Sequence, residues 1–312
     1  MNFNDGGAPE AIFISRTCPS CGLARREPAV RAARKAEEQD WQTLSADWRG
    51  FFRDPSFFSY DRCTDCGQLY APTYLTNDAI SRLYSSMPNN VHSGDEASNF
   101  ATQSGYATDV VACLSKAERY LELGPDTGEF ARALADLIPI KIAYLAEPNR
   151  AVWQRLRHTL PAEEITIKRD IGEFDPIIED GSLDLVVGIH VLDHLLDPVS
   201  VLRTLFRKLA RGGVAAFVVH NERSFLARIL GDRWPAYCLQ HPQLYNPESL
   251  TDILKRCGFG DITVSPTKNK FPFGYLAAHG IYALTGKRID LSFATWPVTM
   301  RLGNNIAICC KG

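Results

Sequence analysis

From about residue 105 onward the chain alternates strand-like and helix-like segments, and this alternation constrains its fold more than any other feature. Apolar, β-rich runs occur at 119–124, 142–147, 165–170, 183–189, 214–220, 262–265 and 305–310. Helical stretches separate the early ones: TGEFARALADL, NRAVWQRLRHTL and PVSVLRTLFRKLARGG, the last expected to stop on Gly212 and Gly213 as its C-cap. Strand, helix, strand repeated in this way predicts an α/β fold with a doubly wound, mainly parallel, Rossmann-like sheet of seven strands. Ligands of such sheets bind outside the carboxyl ends of the strands, where strand order reverses. The residues ending each run are therefore the candidate site.

The first run passes through Glu122 into Gly124, Pro125, Asp126, Thr127 and Gly128. Glycines between a strand and a helix let the backbone approach a ligand and expose the amides of the helix start. The second run ends at Glu147, 23 residues after Gly124 and just before Pro148. An acidic side chain at that spacing can accept both hydroxyls of a ribose. The third run ends at Asp170 and Ile171, suited to the edge of an adenine, and the fourth at His190 and Val191.

Ahead of these runs, four of the nine cysteines form two copies of one pattern, Cys18-Pro-Ser-Cys21-Gly22 and Cys63-Thr-Asp-Cys66-Gly67. Two such turns suit a tetrahedral structural Zn2+, each presenting two sulfurs about 2.3 Å from one ion. Reduced thiols or a redox pair are the alternative. Forty-one residues separate Cys21 from Cys63, so an insertion sits there. PAVRAARKAEEQDWQTL predicts a helix, followed by an aromatic loop broken at Pro55. Arg25, Arg26, Arg31, Arg34 and Lys35 could touch phosphate, but a solvated helix face is the simpler expectation. A short helix capped by Asn77 or Asp78 and a polar linker follow, which predicts a zinc-binding module over 1–90 and the sheet domain over 91–312.

Composition excludes several classes. With 45% apolar and 22% charged residues the chain is that of a globular protein, and a net charge of −2 gives no global field to collect nucleic acid. No apolar run approaches the roughly 18 residues needed to span a bilayer, and the first residues do not read as a secretion signal. A cytoplasmic location is expected.

Together the strand-end residues resemble the class I S-adenosylmethionine-dependent methyltransferases, whose first motif is an acidic residue followed by Gly-x-x-x-Gly. Their fourth strand commonly runs into a segment similar to Val191-Leu-Asp-His-Leu195 here. RCTDCGQLYAPTYLTNDAISRLY, NERSFLARILGDRW and HPQLYNPESLTDILKRCGFGDI resemble the subgroup that joins a Cys-x-x-Cys zinc module to this fold. The resemblance implies S-adenosylmethionine as cofactor and a sugar, glycan precursor or natural-product intermediate as acceptor. Departures are Asp126, where many members have Gly, and Asp193, where Glu is commoner. NAD shares the fold but wants G-x-G-x-x-G, and Asp126 stands where that pattern needs its second Gly, with a charge that would repel a pyrophosphate.

Methyl transfer needs a base only if the acceptor must lose a proton, and histidines at the carboxyl edge titrate suitably. His220, directly after the fifth run, is the first candidate, against a histidine that only bonds its own loop. His194 and Asp193 suit a structural or cofactor-side role, while His241 and Tyr245 could line the acceptor pocket. Tyr106 could cover the cofactor, and Glu122 could hold the donor's amino-acid end. Phe130 and Trp153 are expected to pack, and His92, His158 and His279 to have ordinary surface or packing roles. The long aromatic connection at about 268–302 is either a cap over the acceptor or a homodimer surface exposing Phe293 and Trp296. An RNA methyltransferase gripping its substrate through the zinc module, and a noncatalytic cofactor-binding scaffold, are the competing functions.

Overall fold

The computed structural model describes residues 12–48, 56–86, 96–114, 116–287 and 289–312. The boundary expected at residue 90, along with Pro55 and His92, lies outside them.

The first half of the chain carries β1 (Phe13–Ser15), β2 (Arg26–Val30), α1 (Trp41–Asp47), β3 (Tyr60–Cys63), β4 (Leu69–Tyr70), β5 (Thr73–Leu75), α2 (Asn77–Ser86) and α3 (Glu96–Val111). Then come β6 (Arg119–Leu123), α4 (Glu129–Ala135), β7 (Ile142–Ala146), α5 (Trp153–Thr159), β8 (Glu164–Lys168), β9 (Leu183–Ile189), α6 (Pro198–Lys208) and β10 (Leu209–His220). The remainder is α7 (Phe225–Leu230), β11 (Gln243–Leu244), α8 (Pro247–Arg256), β12 (Gly260–Pro266), β13 (Asn269–Pro272), α9 (Phe273–Thr285), β14 (Pro297–Met300) and β15 (Asn304–Cys310).

Seven strands form the main sheet in the order β12-β15-β10-β9-β6-β7-β8. Pairing is parallel from β10 through to β8, and β15 runs antiparallel between β10 and β12. The pleat sorts each strand's side chains between two cores. Leu121 and Leu123 of β6 pack toward α6 and α8, while Tyr120 packs toward α3, α4 and α5. From β6 the chain builds outward to β8 and then crosses back to β9, so order reverses between β6 and β9.

Three local expectations give way to tertiary context. The helix expected from Pro28 is β2 instead, an edge strand paired with β3 in which Pro28 stands opposite Asp61. An edge strand tolerates the N–H that proline lacks. Arg26 and Arg31 converge on the Asp61 carboxylate at 2.9 Å each, which holds the segment extended; only α1 within the stretch is α-helical. The supposed solvated helix face is thus a set of ion pairs, with Arg25 also meeting Asp65. The helix before β10 ends at Lys208 rather than at Gly212, because Leu209 already pairs with Leu183 and Gly212 (φ 73°) serves an irregularity in β10. The cap of α2 is Thr76, whose hydroxyl accepts from the Ala79 N–H at 3.2 Å.

The front sheet has the order β11-β4-β3-β2, so its last strand comes from beyond the main sheet's β10. Leu244 and Gln243 pair with Leu69 and Tyr70. Arg16, half-buried, donates to the carbonyls of Pro242 and Leu196, and Gln68 to that of Leu244. Over the connection at 268–302, β13 and β14 form a hairpin around α9, with Phe293 and Trp296 exposed. Among the described residues no helix is long and apolar enough to cross a membrane.

Candidate active site

The turn after β6 requires three left-handed residues, Gly124 (φ 61°), Asp126 (φ 49°) and Gly128 (φ 86°). Asp is among the few side chains that tolerate this region. A Cβ on Gly124 would stand 2.9 Å from Cγ2 of Val191, so glycine is what lets the loops after β6 and β9 meet. The Gly128 N–H closes the turn on the carbonyl of buried Pro125 at 2.8 Å.

Glu147 leaves the end of β7 toward this turn. Its carboxylate accepts from the N–H of Asp126 at 3.0 Å and of Asn149 at 2.7 Å. Each oxygen keeps a second lone pair, enough to accept a ribose hydroxyl. The Trp153 indole donates to the Glu147 carbonyl at 2.9 Å, so Trp153 fixes this corner as well as packing. Burial pushes the Glu147 carboxyl up to about 7 and Glu122 up to about 8. Asp126 is raised by burial and by Glu129. The loop thus concentrates carboxylates, which favours a cationic ligand such as the sulfonium and ammonium of S-adenosylmethionine and disfavours a pyrophosphate.

Other predicted cofactor residues vary in placement. Glu122 is buried and takes a hydrogen bond from the Tyr120 hydroxyl, so it faces the core rather than the loop's outer surface. Asp170 is exposed and caps the short turn from Ile171 by accepting from Gly172 and Glu173. Pro148 is exposed beside Glu147. Tyr106 sits inside α3, buried, its hydroxyl accepting from the Asn269 amide of β13 at 2.7 Å.

Beside the switch point, histidines from four segments converge. Ring centroids of His190 and His220 lie 4.4 Å apart, those of His220 and His241 4.9 Å, and those of His194 and His241 4.7 Å. Asp193, 0% exposed, accepts through Oδ2 from His220 Nδ1 at 2.8 Å and from the His220 backbone N–H at 3.1 Å. A carboxylate can only accept, so neutral His220 carries its proton on Nδ1 and a lone pair on Nε2. His241 Nδ1 donates to the Ala236 carbonyl at 2.7 Å, leaving its Nε2 unprotonated too. His194 Nδ1 meets the Tyr84 hydroxyl at 2.9 Å. Burial pushes His220 and His241 down to about 4 and His190 to about 3, so the imidazoles are neutral near pH 7. Tyr245, expected at the acceptor, is instead fully buried core. Tyr84 and the Asp193–His220 pair are contributions that local sequence does not signal, because their partners are distant along the chain.

In the front module the four cysteines close into one cluster. Sγ of Cys18 is 3.4 Å from that of Cys66, Sγ of Cys21 is 3.6 Å from that of Cys63, and all four lie within 4.8 Å. A tetrahedron with 2.3 Å arms has edges of about 3.8 Å, so the set suits one zinc ion. Gly22 and Gly67, both left-handed, turn their N–H groups back to the carbonyls of Cys18 and Cys63. The hydrogen bond from Cys18 pulls the Cys66 thiol down to about 5, while the same bond and burial push the Cys18 thiol up, so the two sulfurs share one proton.

The methyltransferase-domain family model matches residues 99–264, from α3 into β12. No curated protein matches the chain. Among similar solved structures is a SAM-dependent methyltransferase of Thermotoga maritima, described as a possible histamine N-methyltransferase. It is 18% identical, with 69% of this chain and 90% of that one covered and a TM-score of 0.46. Another is a SAM-dependent methyltransferase from Archaeoglobus fulgidus, 16% identical, covering 68% and 94% with a TM-score of 0.47. Human N-acetylserotonin methyltransferase in complex with SAM is 15% identical, covering 75% and 54% with a TM-score of 0.43. The family match spans the glycine turn, Glu147 and the switch point just described, so the chain belongs to the methyltransferase-domain family and is an S-adenosylmethionine-dependent methyltransferase.

Proposed function

We propose that the enzyme methylates a small molecule, a sugar, glycan precursor or natural-product intermediate, bound against the histidine cluster. The observation that carries this reading is the neutral, half-buried cluster beside the cofactor turn, closed by the loop holding His241 that the front module grips. A cluster of this kind suits a compact, hydroxyl-bearing acceptor rather than a polyanion. The alternative of RNA gripped by the module loses support, since Arg25, Arg26 and Arg31 spend their charge on Asp65 and Asp61.

In this reading the turn at 124–128 and Glu147 position the donor, and displacement at its sulfonium methyl is in line with the acceptor atom. Where the acceptor must lose a proton, His220 and His241 are the proton acceptors, each through Nε2. His194, tied to Tyr84, positions His241. A structural zinc ion held by Cys18, Cys21, Cys63 and Cys66 fixes the module, and a four-sulfur site of this kind suits a reducing compartment, the cytosol.

Calorimetry with S-adenosylmethionine tests the donor site: Glu147→Ala is expected to weaken micromolar binding at least tenfold. Incubation with nucleotide sugars and glycans, read by mass, then tests the acceptor. Donor binding with no methylated product from any of them would overturn the acceptor assignment alone.

A further inference from the structure

We propose that His190, Asp193 and His220 form a second metal centre, a three-ligand site for a first-row divalent cation of the zinc, cobalt or iron(II) kind. One donor atom from each residue lies within 4.8 Å of the other two. Two polar atoms of this group are buried with no hydrogen-bond partner, Nδ1 of His190 and Oδ1 of Asp193. Buried polar atoms are nearly always satisfied, and leaving one bare is costly, the more so when it is charged. The Asp193–His220 hydrogen bond accounts for Oδ2 and leaves both orphans unexplained. One ion placed between them satisfies both.

The surroundings agree with coordination. Among the described residues, the ion-pair partner of Asp193 is His220, with no lysine or arginine on it, so its charge is free to meet a cation. Neutral imidazole is the form that binds a metal, and His220, with Nδ1 given to Asp193, keeps a lone pair on Nε2. His190 Nε2 lies 3.4 Å from the Asn304 side-chain amide, which, turned to present its oxygen, would fix the tautomer that leaves Nδ1 free. The His220 backbone N–H steadies the Asp193 carboxylate from behind at 3.1 Å. His190 also holds a left-handed backbone (φ 52°), uncommon away from glycine and a conformation that functional sites retain. Two imidazoles and one carboxylate select borderline cations over Mg2+ or Ca2+, and their nitrogen and oxygen donors separate this centre chemically from the four-sulfur cluster.

Three protein ligands leave coordination positions open. In the methyltransferase reading, on which this consequence but not the ion itself depends, an acceptor oxygen fills one of them and becomes more acidic. His220 is then a ligand, and His241 remains as the proton acceptor.

The test uses the full chain, loaded with Zn2+ or with Co2+, freed of excess ion and measured for metal per chain. Two equivalents are expected. His190→Ala and His220→Gln each retain one, and Cys63→Ser separately loses the other. Cobalt loading is expected to give sulfur-to-metal charge-transfer bands that survive His220→Gln, together with weaker visible bands that do not. His220 is half-buried, so this variant folds if any in the triad does, and circular dichroism confirms it. One equivalent in the wild type, or two that persist in both histidine variants, overturns the proposal. Either result leaves S-adenosylmethionine binding untouched, so the methyltransferase reading stands or falls separately.

Discussion

A single carboxylate shows how function and stability oppose each other here. Glu147 is buried, and its folded-state value of about 7 lies well above that of an unfolded glutamate. A raised acid favours the folded state most at low pH, and that contribution is lost as pH rises from the unfolded value through about 7. Above it the ionised, desolvated group costs on the order of 3 kcal/mol. Glu147→Gln, isosteric with the neutral form, is therefore expected to melt higher than wild type at pH 8 without cofactor and equally at pH 4.5. Its affinity for S-adenosylmethionine should be lower throughout. A melting difference that does not change with pH would contradict this. Wild-type affinity should itself weaken below pH 7, because the ribose hydroxyls need an ionised acceptor. Glu147 and the left-handed Asp126 were legible in sequence because strand-end spacing and turn chemistry are local. The pairing of Asp193 with His220 was not, since nothing in either segment records that β9 and β10 lie side by side.

At the level of elements, the same distinction separates what was foreseen from what was not. The inner strands β6, β7, β9, β10 and β15 carry the apolar run of burial on both faces, and the edge strands β8 and β12 a shorter, β-branched one, so each was visible before its neighbours were known. The stretch from Pro28 was read as helix from residues that favour helices, yet it is held as an edge strand by two guanidinium groups on Asp61. Propensity is worth tenths of a kcal/mol per residue, whereas two charge-assisted bonds to a largely buried carboxylate are worth more. Asp61→Ala should accordingly detach β2 and lower stability by about 1–2 kcal/mol, read as a fall in melting temperature. Charge reversal at exposed Arg157, which meets no carboxylate among the described residues, should change it by less than about 0.5 kcal/mol.

For the molecule as a whole, the front module is bonded into the sheet domain rather than appended to it, and in the proposed acceptor site it is a wall. The Tyr60 hydroxyl donates to the His241 carbonyl and that of Tyr74 to the Leu239 carbonyl, both at 2.6 Å. Tyr60→Phe leaves a buried carbonyl bare, at a cost of about 1–3 kcal/mol. It should speed amide exchange over 236–242 while leaving S-adenosylmethionine affinity within twofold. Equal exchange in both proteins would show that the module does not hold the loop. The interlocking also orders synthesis. The four cysteines leave the ribosome early, but the sheet that carries two of them lacks its outer strand until Gln243 and Leu244 have been made. The nascent module must wait, with the edge of β4 open, for most of the catalytic half to emerge, so a chain stalled before Gln243 exposes that edge to any neighbouring strand.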